Sequence, residues 1–470
     1  MSCNACVDKR LDGLRFVLLV VAVGSAAAQS QPIDLGLGFL DHEILVEENL
    51  IVYQTPDGEI WTQSIDPATG LFVAGDDRSV RIDVGVAPLT DSKNGPEFGL
   101  DAGGWTVFYN KSSAGRVQVW RATFSFGAAE PFDVVQLTSG NIDRINQLPS
   151  QWSGSPTTYA IYARSNPDTG SALLAWFDEA APDAENPITP VEPNFAGFRW
   201  IDNTSMFTST IAGLNPDRGQ IVLTDAAGGP PLVITNDPGI KFDPYGWVAT
   251  DFGDELRVIA KVDLPGALPG EPAEAIAVYA PGDGLFWEQT ALLQIPASSG
   301  MTHVQSPEPF VVGGRSFVVT TLKDADGPVI GGSVRESQVW LFDLNDDPET
   351  GFVFRCDDGV AGAIAHEGEA FAGTDELMIY YNYVSRNGDG IGMALAPTGI
   401  GTSSACRPVD LAPPFGRITP ADTVRFLELF EAADSTTDFD GNGSIDFFDV
   451  LAFTQFGDAC VGSNQPVSPG

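Results

Sequence analysis

One unit of sequence recurs seven times at a nearly constant spacing, and this repeat constrains the fold more than any other feature of the chain. The unit is an apolar strand, a polar hairpin of Gly, Asp or Asn, and a second strand bearing an aromatic or large aliphatic residue. Leu50-Ile51-Val52-Tyr53 turns to Ile60-Trp61, and Trp105-Thr106-Val107-Phe108-Tyr109-Asn110 turns to Val117-Gln118-Val119-Trp120. Tyr159-Ala160-Ile161-Tyr162 leads to Leu174-Ala175-Trp176, and Val222-Leu223 and Val278-Tyr279 fill the same slot. Phe317-Val318-Val319 leads to Val339-Trp340, and Met378-Ile379-Tyr380-Tyr381-Asn382 to Met393-Ala394-Leu395. The second strands are thus marked by Trp61, Trp120, Trp176, Leu223, Tyr279, Trp340 and Leu395, at gaps of 59, 56, 47, 56, 61 and 55 residues. Between the marks the apolar runs are short and alternating, broken by Gly, Pro, Asn and Asp, without sustained helical periodicity. Such a period holds about four short strands, the content of a β-propeller blade. A lone blade leaves both sheet faces wet, whereas a ring buries them, so the marked residues are expected between blades. The reading is a mainly β chain with a propeller of about seven blades over 33–400. Six is the alternative if the end units share one sheet; five fits the number of units less well.

The first 28 residues read as a processing segment. Lys9, Arg10 and Arg15 precede an apolar stretch from Phe16 to Val23, and Ala26-Ala27-Ala28 supplies the small residues of a cleavage site before Gln29. The apolar run is too short to span a bilayer. The expectation is a signal peptide over 1–28 and a secreted or cell-surface protein with no membrane span.

Without that segment, 21 Lys and Arg face 61 Asp and Glu. Such acidity excludes a general nucleic-acid binder, which needs a basic footprint. The 43% hydrophobic and 10% aromatic content is too rich for disorder, so the charge coats a folded body. Three cysteines remain after cleavage: Cys356, Cys406 and Cys460. In an exported chain they are free to oxidise. Cys406 and Cys460 bracket the C-terminal segment and are expected to pair, leaving Cys356 over; pairing of Cys356 with Cys406 stays open.

Beyond Gly401-Thr402-Ser403-Ser404, which reads as a short linker, the composition changes. Asp438-Phe-Asp440-Gly-Asn442-Gly443-Ser444-Ile445-Asp446-Phe447-Phe448-Asp449 places oxygen side chains at positions 1, 3, 5, 9 and 12 of a twelve-residue loop. Gly443 falls where the loop must turn, and Ser444 offers its backbone carbonyl. A hard cation takes six to eight oxygens, which this EF-hand-type spacing wraps about one point, so Ca2+ is the expected cofactor. Helical patterns flank the loop. One starts at Thr419-Pro420 with Val424, Leu427 and Phe430 at helical spacing, the other follows Asp446 with Val450, Leu451 and Phe453.

Two loop–helix halves bracketed by cysteines resemble a dockerin domain, a small calcium-folded module that docks on a cohesin or another anchoring protein. The resemblance covers 406–460 and implies metal ligation by Asp438, Asp440, Asn442, Ser444, Asp446 and Asp449. The first half departs from the pattern: it offers Asp410 and Asp422 for a second ion but lacks oxygens between them. Phe447 and Phe448 hold the positions that in this family touch the partner, and an adjacent exposed apolar pair suits an interface. Residues 461–470 are expected to be a disordered tail. In the main body, Leu137-Thr138 followed by Pro149-Ser150-Gln151-Trp152-Ser153 and Ala160-Ile161-Tyr162 resembles the TolB-like propeller repeat over about one blade.

Candidate catalytic carboxylates stand at blade starts: Asp41, Glu97 in Gly95-Pro96-Glu97, and Glu308 in Ser306-Pro307-Glu308, with Glu367 and Glu369 beside them. Convergence of these on one cleft is the mark of a polysaccharide-active glycoside hydrolase, which needs two carboxyls about 5–9.5 Å apart. The three histidines, His42, His303 and His366, stand near the starts of units adjacent in a closed ring, where they form a candidate metal or proton-transfer group. Taken together, the sequence predicts an acidic, secreted, calcium-binding modular protein: a propeller binding scaffold held through a dockerin-like module by protein–protein interaction. The hydrolase, with polysaccharide as substrate, is the alternative.

Overall fold

A computed structural model describes most of residues 31–402 between short gaps in loops, and residues 420–431, 437, 444–445, 448–450 and 453–454 beyond them. Among the described residues there are seven four-stranded antiparallel sheets. Blade 1 runs outward through Asp41–Leu45, Leu50–Gln54, Glu59–Ser64 and Val80–Val84. Blade 2 comprises Glu97–Asp101, Gly104–Ser113, Arg116–Phe124 and Phe132–Gln136, and blade 3 Asp143–Ser150, Tyr159–Asn166, Ser171–Asp178 and Asn186–Pro187. Blade 4 comprises Phe198–Trp200, Met206–Ala212, Gly219–Asp225 and Leu232–Val233, and blade 5 Lys241–Ala249, Glu255–Asp263, Glu274–Ala280 and Glu288–Gln294. Blade 6 comprises His303–Val312, Arg315–Lys323, Ser337–Asp343 and Val353–Arg355. Blade 7 takes Ala363–Ala372, Leu377–Ser385 and Ile391–Pro397 from its own stretch of chain and borrows its outermost strand, Ile33–Leu37, from the other end. Each inner strand touches the next all the way round, Ala363–Ala372 against Asp41–Leu45 included, so the ring is closed.

All seven marked residues lie on the third strand of a blade. Six pack as expected: Trp120, Trp176, Leu223, Tyr279, Trp340 and Leu395 all join apolar clusters. Trp61 does not. Its Nε1 donates to Glu59 Oε2 at 3.0 Å and Arg81 lies 5.9 Å over its ring, so it stays at the rim, where its polar edge has a partner.

The core is divided among the seams, with one apolar cluster between each pair of neighbouring blades. Phe317, Val319 and Leu341 of blade 6 meet Ile379, Tyr381 and Ala394 of blade 7, and Ile51 of blade 1 meets Phe371 and Tyr380 of blade 7. Sandwiching explains the sequence texture. Glu274–Ala280 and Ser337–Asp343 are buried along their whole length, so they read as continuous rather than alternating apolar runs. The outer strand Glu288–Gln294 has a wet edge and is mostly polar. At roughly 1.5–3 kcal/mol for each large side chain fully buried, the seams hold the ring together.

The Leu-Thr of the TolB-like stretch does local work. Val119 N donates to Thr138 Oγ1, which donates to Gln118 Oε1 at 2.9 Å, and the set repeats in blade 4 as Ile221, Thr235 and Gln220. In the C-terminal segment the helix Pro420–Glu431 buries Phe426 against Phe453, rings stacked at 4.2 Å, with Phe430 and Val450 beside them. Of the residues at helical spacing, Phe430 packs on this cluster while Val424 and Leu427 do not. Val424 and Leu427 are 47% and 44% exposed because Phe426, one position off that stripe, turns the helix inward instead.

Candidate functional site in the central channel

The inner strands share a local design that aims polar side chains at the ring axis. Their free edges face the channel, so an inner strand tolerates proline, which has no N–H to offer a partner. Pro149, Pro244, Pro307 and Pro309 all lie on such strands. β-Bulges interrupt the pairing between Phe242 and Tyr245, between Gln305 and Glu308, and between His366 and Gly368. The bulged residues Asp243, Ser306 and Glu367 have φ of 45°, 44° and 48°. A bulge re-aims the side chains that follow it. Two residues on from these positions stand Tyr245, Glu308 and Glu369. The same offset from Gly197, Gly95 and Asp41 gives Arg199, Glu97 and Glu43. Glycine is required at two of these places. A Cβ on Gly95 would lie 2.7 Å from Asp41 Cβ, and one on Gly197, at φ +93°, would lie 2.3 Å from Asp243 Cα.

Asp41, Glu97 and Glu308, singled out in the sequence, are brought into one network with Glu43, Glu367 and Glu369. Asp41 accepts the N–H of Gly95 at 2.6 Å and of His42 at 2.9 Å. Arg199 Nη2 stands 3.7 Å from Glu308 Oε1 and feels Glu97, Tyr245 and Asp243 as well. Gln305 Nε2 donates to Glu367 Oε1 at 2.9 Å, and His366 Nδ1 lies 4.0 Å from the same oxygen. The site is wet rather than sealed. Arg199, Glu308 and Glu367 side chains keep 26%, 20% and 30% exposure, which screens their attractions.

Crowding drives the protonation states apart. Burial, then Glu367, pushes the Asp41 carboxyl up to about 7 against the pull of its two N–H donors. Burial and the nearby Glu97 and Glu308 hold Glu43 well above the usual carboxylate range, and burial with Glu308, Glu43 and Glu97 does the same to Glu369. Glu308 is also raised, chiefly by burial, with Arg199 opposing. Its carboxyl is hydrogen-bonded to that of Glu369, which serves as the protonated donor. Burial disfavours the charge on Glu367 too, but His366, Arg199 and Gln305 outweigh it and keep Glu367 below its usual range. Burial keeps His42 neutral, pushing it down to about 3.

Two of the three histidines come within electrostatic reach of each other: His42 on blade 1 and His366 on blade 7, with the Tyr380 ring 6.4 Å from His42. His303 instead hydrogen-bonds Thr302 and stands near Asp263 of blade 5, so the three-histidine group does not form. Among the described residues no group of three His, Cys, Asp or Glu is placed to hold a metal ion. Sequence reasoning missed Arg199, which follows no Pro-Glu turn; its signal was Gly197, the same offset upstream as Gly95 from Glu97.

Of the expected calcium loop, Asp438, Asp440, Asn442 and Asp446 lie outside the described residues, as do Asp410, Phe447, Cys406 and Cys460, and the side chain of Asp422. Ser444 is exposed. Asp449 is fully buried in a helical segment, while its neighbour Phe448 is 61% exposed. Cys356 is a buried free thiol.

The chain is a seven-bladed β-propeller with a further C-terminal segment. No family model and no curated protein matches it. Among solved structures it is similar to the Dos1 propeller, with 9% identity over 74% of this chain and 75% of that one and a TM-score of 0.43. It is also similar to a putative TolB from Agrobacterium tumefaciens (11%, 55% and 82%, TM-score 0.33) and to the Trypanosoma rangeli sialidase in complex with the inhibitor DANA (12%, 69% and 59%, TM-score 0.39). These are likenesses of shape, and no functional argument follows from them.

Proposed function

We propose that this is a secreted, calcium-binding modular protein in which the propeller is a binding scaffold and the C-terminal segment a dockerin-like anchor for a cohesin-like or other surface protein. The observation that carries the scaffold reading is the state of the channel. Two of its carboxyls are tied up by neighbours inside the ring, Glu308 by Arg199 of blade 4 and Glu369 by its hydrogen bond to Glu308. A channel tied up in this way leaves the faces and rim of the ring for partners. The neighbouring pair Asp449 and Phe448 supports the anchor. A fully buried carboxylate at position 12 suits an ion ligand, and an exposed phenylalanine beside it suits a docking contact. Titration of the full chain with Ca2+ by calorimetry tests this reading. Binding that disappears in Asp449→Ala supports it, and no heat at millimolar Ca2+ rejects the anchor.

A second reading, hydrolysis of a polysaccharide in the channel, is favoured by the convergence of Asp41, Glu97 and Glu308 on one network and by the contrast between Asp41, pushed to about 7, and Glu367, held below its usual range. Such a split is how acid and base roles separate. Release of reducing sugar from a polysaccharide panel, lost in Glu367→Gln, would establish the hydrolase; no release by the wild type leaves the scaffold.

A further inference from the structure

The seam between blades 7 and 1 carries a second fastening besides the closing strand Ile33–Leu37. It is a turn over residues 66–70, between the third and fourth strands of blade 1, that reaches across to blade 7. Its sequence makes it rigid. Pro67 fixes its own φ, and Asp66 accepts the N–H of Ala68 and the hydroxyl of Thr69, each at 3.0 Å. Gly70 N donates to Asp66 O at 2.7 Å, and Gly70 closes the turn at φ +68°, a conformation that favours glycine. Blade 7 is shaped to receive it. Thr374 N donates to Pro67 O at 2.7 Å, and the Tyr380 hydroxyl donates to Gly70 O. A Cβ on Gly70 would lie 2.3 Å from Met378 Sδ, and one on Gly373 would lie 2.7 Å from Pro67 O, so neither side of the contact has room for a methyl group. Two residues on, the Phe72 ring lies nearly parallel to that of Tyr380 at 6.3 Å. Phe72 and Ile65 then join the cluster of Met378, Tyr380 and Leu395.

The closing strand is held more lightly. It pairs along one edge only, its register shifts between Asp34 and Gly36, and Ile33 and Leu37 are 39% and 51% exposed. Of its five residues only Leu35 joins the seam cluster, and Asp34 adds the hydrogen bond from Tyr383. We infer that the turn is a clasp that keeps the ring shut by itself, and that Ile33–Leu37 is a detachable strap. The strap opens locally and bares the edge Ile391–Pro397, while blades 7 and 1 stay joined through the clasp and through the contact of Ala363–Ala372 with Asp41–Leu45. The dependence runs one way. Only residues 38–40 separate the strap from blade 1, so a seam that parts after the turn leaves Thr374 and Tyr380 pulls the strap off as well.

Native-state hydrogen exchange of the full chain, read by mass spectrometry, separates strap from clasp. After correction for intrinsic exchange, amides that pair Ile33–Leu37 with Ile391–Pro397 are expected to open about tenfold or more as often as those of residues 373–378, which include the Thr374 N–H on Pro67 O. Tyr380→Phe leaves the Gly70 carbonyl without its donor and is expected to raise opening at 373–378 about fivefold or more, with the strap rising alongside. Gly392→Ala, which crowds Gly36 O and the Tyr383 ring, is expected to raise opening at the strap and leave 373–378 level. One common opening rate for the two regions in the wild type overturns the inference. So does a Gly392→Ala variant that loosens both equally, or a Tyr380→Phe variant that leaves 373–378 unchanged. Should neither variant fold, the comparison of the two regions in the wild type decides.

Discussion

Arg199 Nη2 stands 3.7 Å from Glu308 Oε1, joining blade 4 to blade 6 past the blade between them. The contact passes beside the Tyr245 ring of blade 5, whose centroid is 6.0 Å from the guanidinium. Among the described residues His366 also acts on the network, at Glu367, but Arg199 is the side chain that ties blade 4 to blade 6.

Removing it should therefore cost more than a surface ion pair. Breaking a buried pair typically costs about 3–5 kcal/mol, and the remaining exposure of both partners reduces that here to about 1–3 kcal/mol. Arg199→Met, measured by urea unfolding at neutral pH, is expected to show this loss, and to show less of it at pH 5 where the carboxyls are protonated. A loss equal at both pH values would mean that Arg199 acts by packing alone.

The pH dependence of stability is expected to run opposite to ordinary acid denaturation. Asp41 is raised in the folded state to about 7 from 3.8, so the folded protein holds the extra proton. Stability from this group is then full at low pH, declines from about pH 4 to 7, and stays flat above. Glu43, Glu308 and Glu369 add the same sign, while Glu367 opposes, and so does His42, whose neutral folded form gives way to a protonated unfolded one below about pH 6.5. After discounting for the wet channel, Asp41 accounts for about 1–3 kcal/mol. Asp41→Asn should raise the melting temperature at pH 8 and reduce its fall between pH 5 and 8; a melting temperature that climbs with pH over that range refutes the assignment.

Closure should be sensitive to one glycine. A Cβ on Gly392 would lie 2.5 Å from the Tyr383 ring, whose hydroxyl donates to Asp34 Oδ1 at 2.8 Å, and 2.7 Å from Gly36 O. Gly392→Ala is expected to destabilise by about 1–3 kcal/mol, as overpacking does. Increased protease cleavage near residue 37, without change in the cores of blades 3 and 4, is the reading that checks it.

Phe448 and Asp449 should separate attachment from folding. Phe448→Ser removes an exposed side chain and is expected to leave Ca2+ affinity and stability within about 0.5 kcal/mol, while weakening capture by the anchoring partner. Asp449→Ala is expected to abolish Ca2+ binding and lower helical signal in far-UV circular dichroism. Equal loss of Ca2+ affinity in both variants would show that Phe448 serves the fold of the segment rather than an interface.

The ring was legible from the seven marked positions because blades repeat and because sandwiched third strands must be apolar on both faces. The candidate carboxyls Asp41, Glu97 and Glu308 were legible from their Pro-Glu or blade-start context, since proline marks an unpaired inner edge. What sequence could not carry was convergence. Arg199 lies 102 residues from Glu97 and 109 from Glu308, and only closure brings the three together. The inward turn of Phe426 was missed because one helix offered two apolar stripes, and contact with Phe453 chose between them.

The borrowed strand also sets an order of events. Ile33–Leu37 is synthesised well ahead of its partner Ile391–Pro397, which is made more than 350 residues later. Until then six blades can stack while the opening strand stays unpaired, and the entropy of bringing such distant segments together is met only at the last step. A nascent or truncated chain short of residue 397 therefore carries two raw β-edges, one at each end, that invite pairing with other chains. For this molecule the hazard of aggregation is concentrated in the interval before its ends meet.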